Sequence, residues 1–515
     1  MKNSDSSTTS ENSEEPKDQF ETKHLNKDLK SRSVKNGAIV ISSQGFRFVA
    51  TTLSGAVLAR LLMPEDFGLI AMTASILAFV YLLQDAGLAM ATVQKDEVNH
   101  EQVSTLFWLN LAITTILAIL TIVCSPLIAE LYGDPRLKDI TIALAIPLLI
   151  GGLTSQHSAL LTRQLKFKVL QIASLSGLVF GIAVAIISAL NGASYWALVY
   201  QRIASASLTC ALMWIFAKWI PGKPTSGTGA LSMLKFGANL SLAQLIATMI
   251  RNLDNILLGK FAGSASLGFY SKSYGLLMLP ITQMNGPVSK VAIPTLSRLQ
   301  NDPEKYRNYF CKGISMLVFF GMPLIGTFFV FADTIINIML GSNWSDSIIL
   351  FRLLAPAALI GTFNVAASWL FIPTGRTNSM LNASLIAGAI TIIGFLIGIQ
   401  WGAKGIAISV SCTSCISIVP VLMMATHKNH VSLLDIFTSI WHPAFATIST
   451  SAAIFYVKYY SPIQSNNVVG IIILGLGYVL TYSLIFVILP GSKTHISNAK
   501  NILETLLKRK AGKTA

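Results

Sequence analysis

Two apolar segments of the sequence each carry a stripe of polar residues that includes one arginine. In segment 236–261 the stripe has spacings of three and four residues and consists of Ser241, Gln244, Thr248, Arg251 and Asn255. In segment 37–63 the same spacings join Gln44, Arg47, Thr51 and Ser54. Such spacings place side chains on one face of an α-helix. Because a charge inside a bilayer is costly, each stripe is expected to face the interior of a helix bundle or a wet cavity.

The partners of the charged residues remain open at this point. Arg251 and Asp254 are three positions apart, so they could form an ion pair that only supports the fold. Arg47 has no acidic neighbour one helical turn away, which favours an external anion or a distant partner such as Asp85. Asp85 itself could couple transport to an ion, although a helix cap or a partner for a buried arginine is the favoured interpretation. Arg202 is interpreted as a snorkelling or helix-pairing residue.

The composition indicates what must position these stripes. The chain has 515 residues, of which 53% are hydrophobic and 12% charged, whereas a soluble domain has roughly 45–50% and 25%. A bilayer-spanning helix needs about 20 apolar residues. Fourteen runs qualify, namely 37–63, 67–92, 103–132, 139–161, 170–190, 194–219, 236–261, 269–293, 310–333, 349–372, 380–400, 403–426, 438–457 and 467–489. The fold class predicted is therefore an all-α polytopic membrane protein with about fourteen transmembrane helices.

The distribution of basic residues predicts the orientation of these helices. With the N-terminus inside, the cytoplasmic tails and loops hold 27 of the 38 Lys and Arg residues, and the outer loops hold 8, among which Lys272 is counted. Cytoplasmic segments carry the excess of positive charge in membrane proteins. We therefore expect both termini in the cytoplasm, with loops such as 218–235 inside and loops such as 341–348 outside.

The two halves of the chain show a weak internal repeat. Overlaying each residue on the one 200 positions later gives eight identities, which are Lys35, Gly37, Ala38, Gln44, Leu53, Leu58, Gly68 and Leu77 with their counterparts. Six helices separate the copies, so both halves enter the membrane in the same orientation, related by an axis along the membrane normal. The expected units are a disordered tail 1–36, six-helix bundles 37–220 and 236–426, two further helices in 438–489, and a basic tail 490–515.

The sequence lacks the motifs of several kinds of catalytic and metal-binding site. Cys412 and Cys415 have Cys-x-x-Cys spacing but lie in an apolar run without a second ligand pair, which favours packing. The seven histidines form no metal-binding motif, and there is no phosphate loop or nucleophile elbow. Basic residues are scattered between apolar runs, which argues against nucleic acid. We expect no catalytic residue, metal site or cofactor.

Particular motifs resemble a known family. They are Leu58-Ala-Arg-Leu-Leu-Met-Pro-Glu-Asp-Phe-Gly-Leu69, Asp85-Ala-Gly-Leu-Ala89, Thr105-Leu-Phe-Trp-Leu-Asn110, Asn255-Ile-Leu-Leu-Gly-Lys260, Leu267-Gly-Phe-Tyr-Ser271 and Pro294-Thr-Leu-Ser-Arg-Leu-Gln300. Together they resemble the Wzx-type lipopolysaccharide and exopolysaccharide exporters of the polysaccharide transporter family. That family belongs to the superfamily of the multidrug MATE antiporters and the oligosaccharidyl-lipid flippases. The resemblance covers about residues 34–490 and leaves both tails outside it.

This resemblance implies a fold and a function. The fold is two six-helix bundles around a central cavity, and the function is to flip a polyprenyl-diphosphate-linked oligosaccharide across the bacterial inner membrane by alternating access. The implied partners are that lipid-linked sugar, membrane lipids, and a polysaccharide polymerase and chain-length proteins. On this hypothesis the diphosphate binds the two stripe arginines, and the sugar hydroxyls bind Gln44, Gln244, Thr248 and Asn255.

Two other functions compete with this hypothesis. A drug or cation antiporter of the MATE kind needs a cavity carboxylate, for which Asp85 and Asp254 are the candidates. A membrane polymerase or glycosyltransferase usually carries a large outer loop or paired carboxylates, and the outer segments here are too short for a catalytic domain. The flippase hypothesis is therefore preferred, with the antiporter as its alternative.

Overall fold

The architecture was determined from a computed structural model of the chain. It describes Phe20 and residues 29–85, 88–95, 97–225, 230–460 and 468–489, while the side chains of 29–35, 38, 85, 230–247 and 468–469 lie outside the description. All elements in this part of the chain are helical, and it contains no strand. Most of the tails predicted at 1–36 and 490–515 lies outside the described residues, but helix begins at Leu29, eight residues before the first predicted span.

Eight helices precede the loop that ends at Thr225, and we call this part the N-terminal half. They are α1 (Leu29–Leu61), α2 (Pro64–Asp85), α3 (Leu88–Gln94), α4 (His100–Val123), α5 (Ser125–Tyr132), α6 (Arg136–Arg163), α7 (Phe167–Leu190) and α8 (Trp196–Ala217). Local chemistry sets several boundaries. Pro64 occupies the first position of α2, where its missing N–H costs nothing. Asn99 and Gln102 form a capping box that begins α4.

Nine helices form the C-terminal half. They are α9 (Ala230–Arg298), α10 (Pro303–Val330), α11 (Ala332–Met339), α12 (Asp346–Gly361), α13 (Val365–Phe371), α14 (Thr377–Gly398), α15 (Gly402–Thr426), α16 (Leu433–Tyr460) and α17 (Val468–Ile488). The 69-residue α9 is two arms, because Gly263 has φ 81° and ψ 174° and interrupts the helix. The arms 230–262 and 264–298 are the seventh and eighth predicted spans.

All fourteen predicted spans coincide with helical segments, and several of them contain a short break between two helices. Within the described residues, nine helical stretches are long and apolar enough to cross a bilayer by length and composition alone. The chain is thus an all-α polytopic membrane protein. The sequence prediction is wrong in one respect, because all eight basic residues that it counted with the outer loops lie within helices, and Lys272 lies in the second arm of α9.

The two halves meet in a contact surface that we call the seam. It joins the start of α2 to the second arm of α9. A Cβ added at Gly68 would lie 1.7 Å from the carbonyl oxygen of Ser264, and one at Gly268 would lie 1.9 Å from that of Pro64. Small residues let helices in membranes approach this closely. The Trp344 Nε1–H donates to the Ala59 carbonyl at 2.8 Å and further ties the halves together.

Candidate functional site

A cavity of about 490 Å³ lies between the two halves, next to the seam. We call it the central cavity. Its wall is formed by α1, α2, α8 and both arms of α9, so the kink at Gly263 brings two parts of one helix to the same site. The polar residues that line it are Thr51, Thr52, Ser75, Arg202, Asn252, Asn255, Ser271 and Lys272. Apolar residues such as Phe67, Ile70 and Leu340 complete the wall.

Among the residues that the structure describes, two cations and no acidic residue line the central cavity. The Lys272 Nζ lies 3.8 Å from the centroid of the Phe67 ring, a cation–π contact that fixes the ammonium at the wall. The ion pairs found among the described residues include neither Arg202 nor Lys272. The Thr52 hydroxyl oxygen is buried and has no hydrogen-bond partner in the described part of the chain. The cavity therefore offers positive charge and unused hydrogen-bonding capacity, which suit an anionic, hydroxyl-bearing ligand.

Asp254 lies beside this cavity but is turned away from it. Its carboxylate accepts a hydrogen bond from the Tyr270 hydroxyl at 2.7 Å and from the Asn255 backbone N–H at 2.8 Å. The ion pair with Arg251 that the sequence left open is not among those of the described residues, and Arg251 Nη2 instead donates to the Thr248 hydroxyl at 2.9 Å. The buried carboxylate thus joins the two arms of α9, since Tyr270 belongs to the second arm and Asp254 to the first.

The structure separates the residues of the two predicted stripes. Asn255 lines the central cavity together with its neighbour Asn252, and Thr51 lines it from α1. Arg47 and Arg251 do not line it, although each lies one helical turn before a residue that does. Gln44 is exposed one further turn away, and Thr248 is buried against Arg251. The side chains of Gln244 and Asp85 lie outside the described residues.

Sequence reasoning missed the two cations of the cavity. Lys272 was assigned to a loop, yet it falls inside the eighth predicted span. It shares one helix face with Gly275, Leu276 and Leu279, which also line the cavity at positions three, four and seven residues later. Arg202 was assigned to helix pairing, but it faces the cavity between the halves. A basic residue three positions inside an apolar span was the signal available for Lys272.

The sequence and the fold were compared with known proteins. The profile of the family described as "Polysaccharide biosynthesis protein" matches residues 57–349. The lipopolysaccharide biosynthesis protein WzxC of Escherichia coli K12 is 24% identical over 402 residues, which are 76% of this chain and 81% of WzxC. The teichuronic acid biosynthesis protein TuaB of Bacillus subtilis 168 is 26% identical over 350 residues, which are 63% of this chain and 72% of TuaB.

Solved structures of similar fold are also transport proteins. The lipid II flippase MurJ in an inward closed conformation superposes with a TM-score of 0.70 at 15% identity, covering 87% of this chain and 98% of MurJ. An inward-facing multidrug resistance MATE transporter superposes with a TM-score of 0.60 at 14% identity, covering 74% of this chain and 94% of the transporter. At these identities the likeness concerns the fold.

Proposed function

Because the chain belongs to the polysaccharide biosynthesis protein family, we propose that it flips a polyprenyl-diphosphate-linked oligosaccharide across the bacterial inner membrane by alternating access. The chain is a transporter and not an enzyme. It serves the formation of a surface polysaccharide such as a lipopolysaccharide, an O-antigen or an exopolysaccharide. A polysaccharide polymerase and chain-length proteins are the expected partners that receive and extend the translocated unit.

The observation that carries this proposal is the charge of the central cavity. Arg202 and Lys272 line it from opposite halves of the chain, and no acidic side chain of the described part of the chain lines it. A diphosphate brings two or more negative charges into the bilayer, where an unpaired charge is costly. Arg202 supplies a planar fork that matches phosphate oxygens, and Lys272 supplies a compact charge. We assign the diphosphate to these two residues.

We assign the stripe arginines to the entrance of the cavity. If the N-terminus is cytoplasmic, α1 and the first arm of α9 both run outward, so that Arg47 and Arg251 precede the cavity on the cytoplasmic side. There they attract the diphosphate before it reaches Arg202 and Lys272. We assign Gln44, Gln244 and Thr248 to the same entrance. Sugar hydroxyls in the central cavity itself accept or donate hydrogen bonds with Asn252 and Asn255.

In this orientation the seam closes the outer side of the cavity. Residues of the seam belong to the start of α2 and the bend of α9, which are the outer ends of their helices in the proposed topology. Opening the seam and closing the cytoplasmic ends would present the same cavity to the outer side. The antiporter alternative is disfavoured because a cationic drug requires a cavity carboxylate, whereas Asp254 binds Tyr270.

The proposal is tested in cells from which the gene has been deleted. The deletion should abolish the surface polysaccharide and accumulate its lipid-linked repeat unit on the cytoplasmic leaflet, and the wild-type chain should restore export. Arg202→Gln should express normally and fail to restore it. Everted vesicles that lack the chain yet translocate the lipid-linked unit at the normal rate would contradict the proposal. Proton-coupled ethidium efflux that Asp254→Asn abolishes would instead favour the antiporter.

A further inference from the structure

The N-terminal half contains another cavity, of about 540 Å³, which lies among α2, α6, α7 and α8. We call it the N-half cavity. Its polar lining consists of Tyr81, Thr154, Gln201, Arg202, Ser205 and Thr209. Arg202 lines the central cavity as well, so its side chain stands in the wall that the two cavities share. The proposed flippase function assigns no role to the N-half cavity.

The chemistry of the lining identifies an occupant. Polar residues at membrane depth occur where they line a cavity or a pathway. This lining offers one amide, one phenol and three aliphatic hydroxyls beside Pro147, Ile150 and Leu178, and none of its described residues is acidic. The Thr154 hydroxyl donates to the Ile150 carbonyl of its own helix at 2.7 Å. A lipid tail offers these polar groups no hydrogen-bond partner, whereas a sugar ring presents both hydroxyls and apolar C–H faces.

From this juxtaposition we infer that the N-half cavity binds the phosphate-linked first sugar of the transported glycan. The inference rests on the proposed function. That sugar is bonded directly to the diphosphate, so a diphosphate held by Arg202 in the central cavity places the sugar next to the shared wall. Arg202 then contacts both parts of the substrate, and the N-half cavity contributes affinity for the glycan while the central cavity contributes affinity for the charge.

Helix α8 offers a matched pair of variants for the test. Ala206 lines the N-half cavity, and its neighbour Ser207 is exposed and lines neither cavity. Ala206→Phe fills the N-half cavity without changing a charge, whereas Ser207→Phe adds the same bulk outside it. The full-length chain in lipid nanodiscs is titrated with undecaprenyl diphosphate and with the undecaprenyl-diphosphate-linked glycan extracted from the cells of origin.

Ala206→Phe should weaken binding of the extracted glycolipid by about tenfold or more, which corresponds to ~1.4 kcal/mol. It should leave binding of the sugar-free undecaprenyl diphosphate within about twofold, and Ser207→Phe should change neither. Size-exclusion elution and the melting temperature report folding. If Ala206→Phe does not fold, Thr209→Val and Gln201→Leu replace it, because they retain side-chain volume and remove hydrogen bonds. Each should weaken glycolipid binding alone, by severalfold.

The outcomes separate the inference from the proposed function. If the wild-type chain binds both probes equally well, the glycan adds no affinity and the inference is overturned, while the flippase proposal stands. If the cavity variants weaken both probes equally, or neither, the N-half cavity is not a sugar site. If the wild-type chain binds neither probe, the proposed function fails and the inference fails with it.

Discussion

Segments 51–77 and 251–277 lie 200 positions apart and build opposite sides of the central cavity. Four pairs of positions at this offset line it, which are Thr52 with Asn252, Gly55 with Asn255, Ala71 with Ser271, and Ser75 with Gly275. In the first pair, the larger polar side chain belongs to the second segment. In the second and third pairs, only the second segment has a polar side chain. The ammonium of Lys272 likewise corresponds to the buried Met72. Between these two segments the lining positions are shared, whereas the cation and both amides belong to the second segment.

The scaffold positions of the two segments match more closely. Leu58 and Leu258 are both buried, and so are Leu77 and Leu277. The buried hydroxyls of Thr73 and Ser273 each donate to the carbonyl four residues earlier, at 3.1 and 2.8 Å. The seam contacts are reciprocal, since Gly68 approaches residue 264 and Gly268 approaches residue 64.

Such reciprocity is what a twofold axis between repeated halves produces. The twofold repeat expected from the sequence stays a prediction, with which these reciprocal contacts agree. The comparison indicates that packing constrains both copies alike, while side chains that face the cavity are free to differ.

The largest effect is expected at the seam. Gly68→Ala and Gly268→Ala would place a Cβ within 2 Å of a backbone oxygen, so each should lower the free energy of unfolding by about 3 kcal/mol. Gly286→Ala is the control, because a Cβ there meets nothing within 4 Å. Thermal unfolding of the purified variants measures the difference. A large cost at only one of the two seam glycines would break the reciprocity.

Lys272→Met gives the second segment the same residue that the first segment has at Met72. It also removes one of the two cavity cations. A hydrogen bond to a charged group contributes about 1.5–3 kcal/mol, so transport should fall by roughly 10- to 100-fold. Lys260→Met, at an exposed position on the same helix, should transport normally. Both variants should reach wild-type levels in the membrane. Normal transport by Lys272→Met would show that the asymmetry of the cavity is not functional.

Asp254 and Tyr270 form a buried contact whose counterparts, Ser54 and Ile70, have no equivalent bond. In a double-mutant cycle, Asp254→Asn and Tyr270→Phe should therefore show a coupling of about 1–2 kcal/mol. Arg251→Gln and Asp254→Asn should be additive within about 0.5 kcal/mol, because these side chains do not pair. Chemical or thermal unfolding gives the four free energies of each cycle. Strong coupling of Asp254 to Arg251 and none to Tyr270 would instead favour the ion pair that the sequence left open.

The smallest effect is expected at an ion-pair cluster of the N-terminal half whose residues are not matched 200 positions later. Arg136 forms ion pairs with Asp134 and Glu65. The counterpart of Glu65, 200 positions later, is Ala265. The hydrogen bond from the Arg136 side chain lowers the pKa of Asp134 below its ordinary value. A lowered pKa stabilises the folded state above the ordinary pKa, and this stabilisation is lost as the pH falls through the lowered value.

Arg136→Gln should therefore lower the melting temperature slightly at pH 7 and flatten its decline below about pH 4. Because the cluster is half exposed, its contribution should stay within about 1 kcal/mol. Melting curves of both proteins between pH 3 and 7 provide the measurement. If the melting temperature of Arg136→Gln declined below pH 4 as steeply as that of the wild type, this cluster would not contribute to the difference between the halves.

The fold followed from the sequence because apolar runs of bilayer length leave few alternatives to helices. All fourteen runs were located, and each coincides with helix in the structure. The cavity was located only in part. A polar stripe shows which side chains share a helix face, but the rotation and depth of that helix depend on close packing elsewhere, such as the glycine contacts of the seam. Asn255 therefore lies in the cavity while Arg251, one turn away, does not.

Translocation of a lipid-linked glycan by the purified chain tests the central claim most directly. Proteoliposomes are loaded with the undecaprenyl-diphosphate-linked glycan from the cells of origin, and an external glycosidase reports its exposure over time. The wild-type chain should expose the internal glycan, protein-free liposomes should not, and the Arg202→Gln, Lys272→Met double variant should resemble the protein-free control. Equal exposure with the wild-type chain and the double variant would contradict the assignment of the diphosphate to these cations. No exposure above the protein-free control with the folded wild-type chain would contradict the flippase function itself.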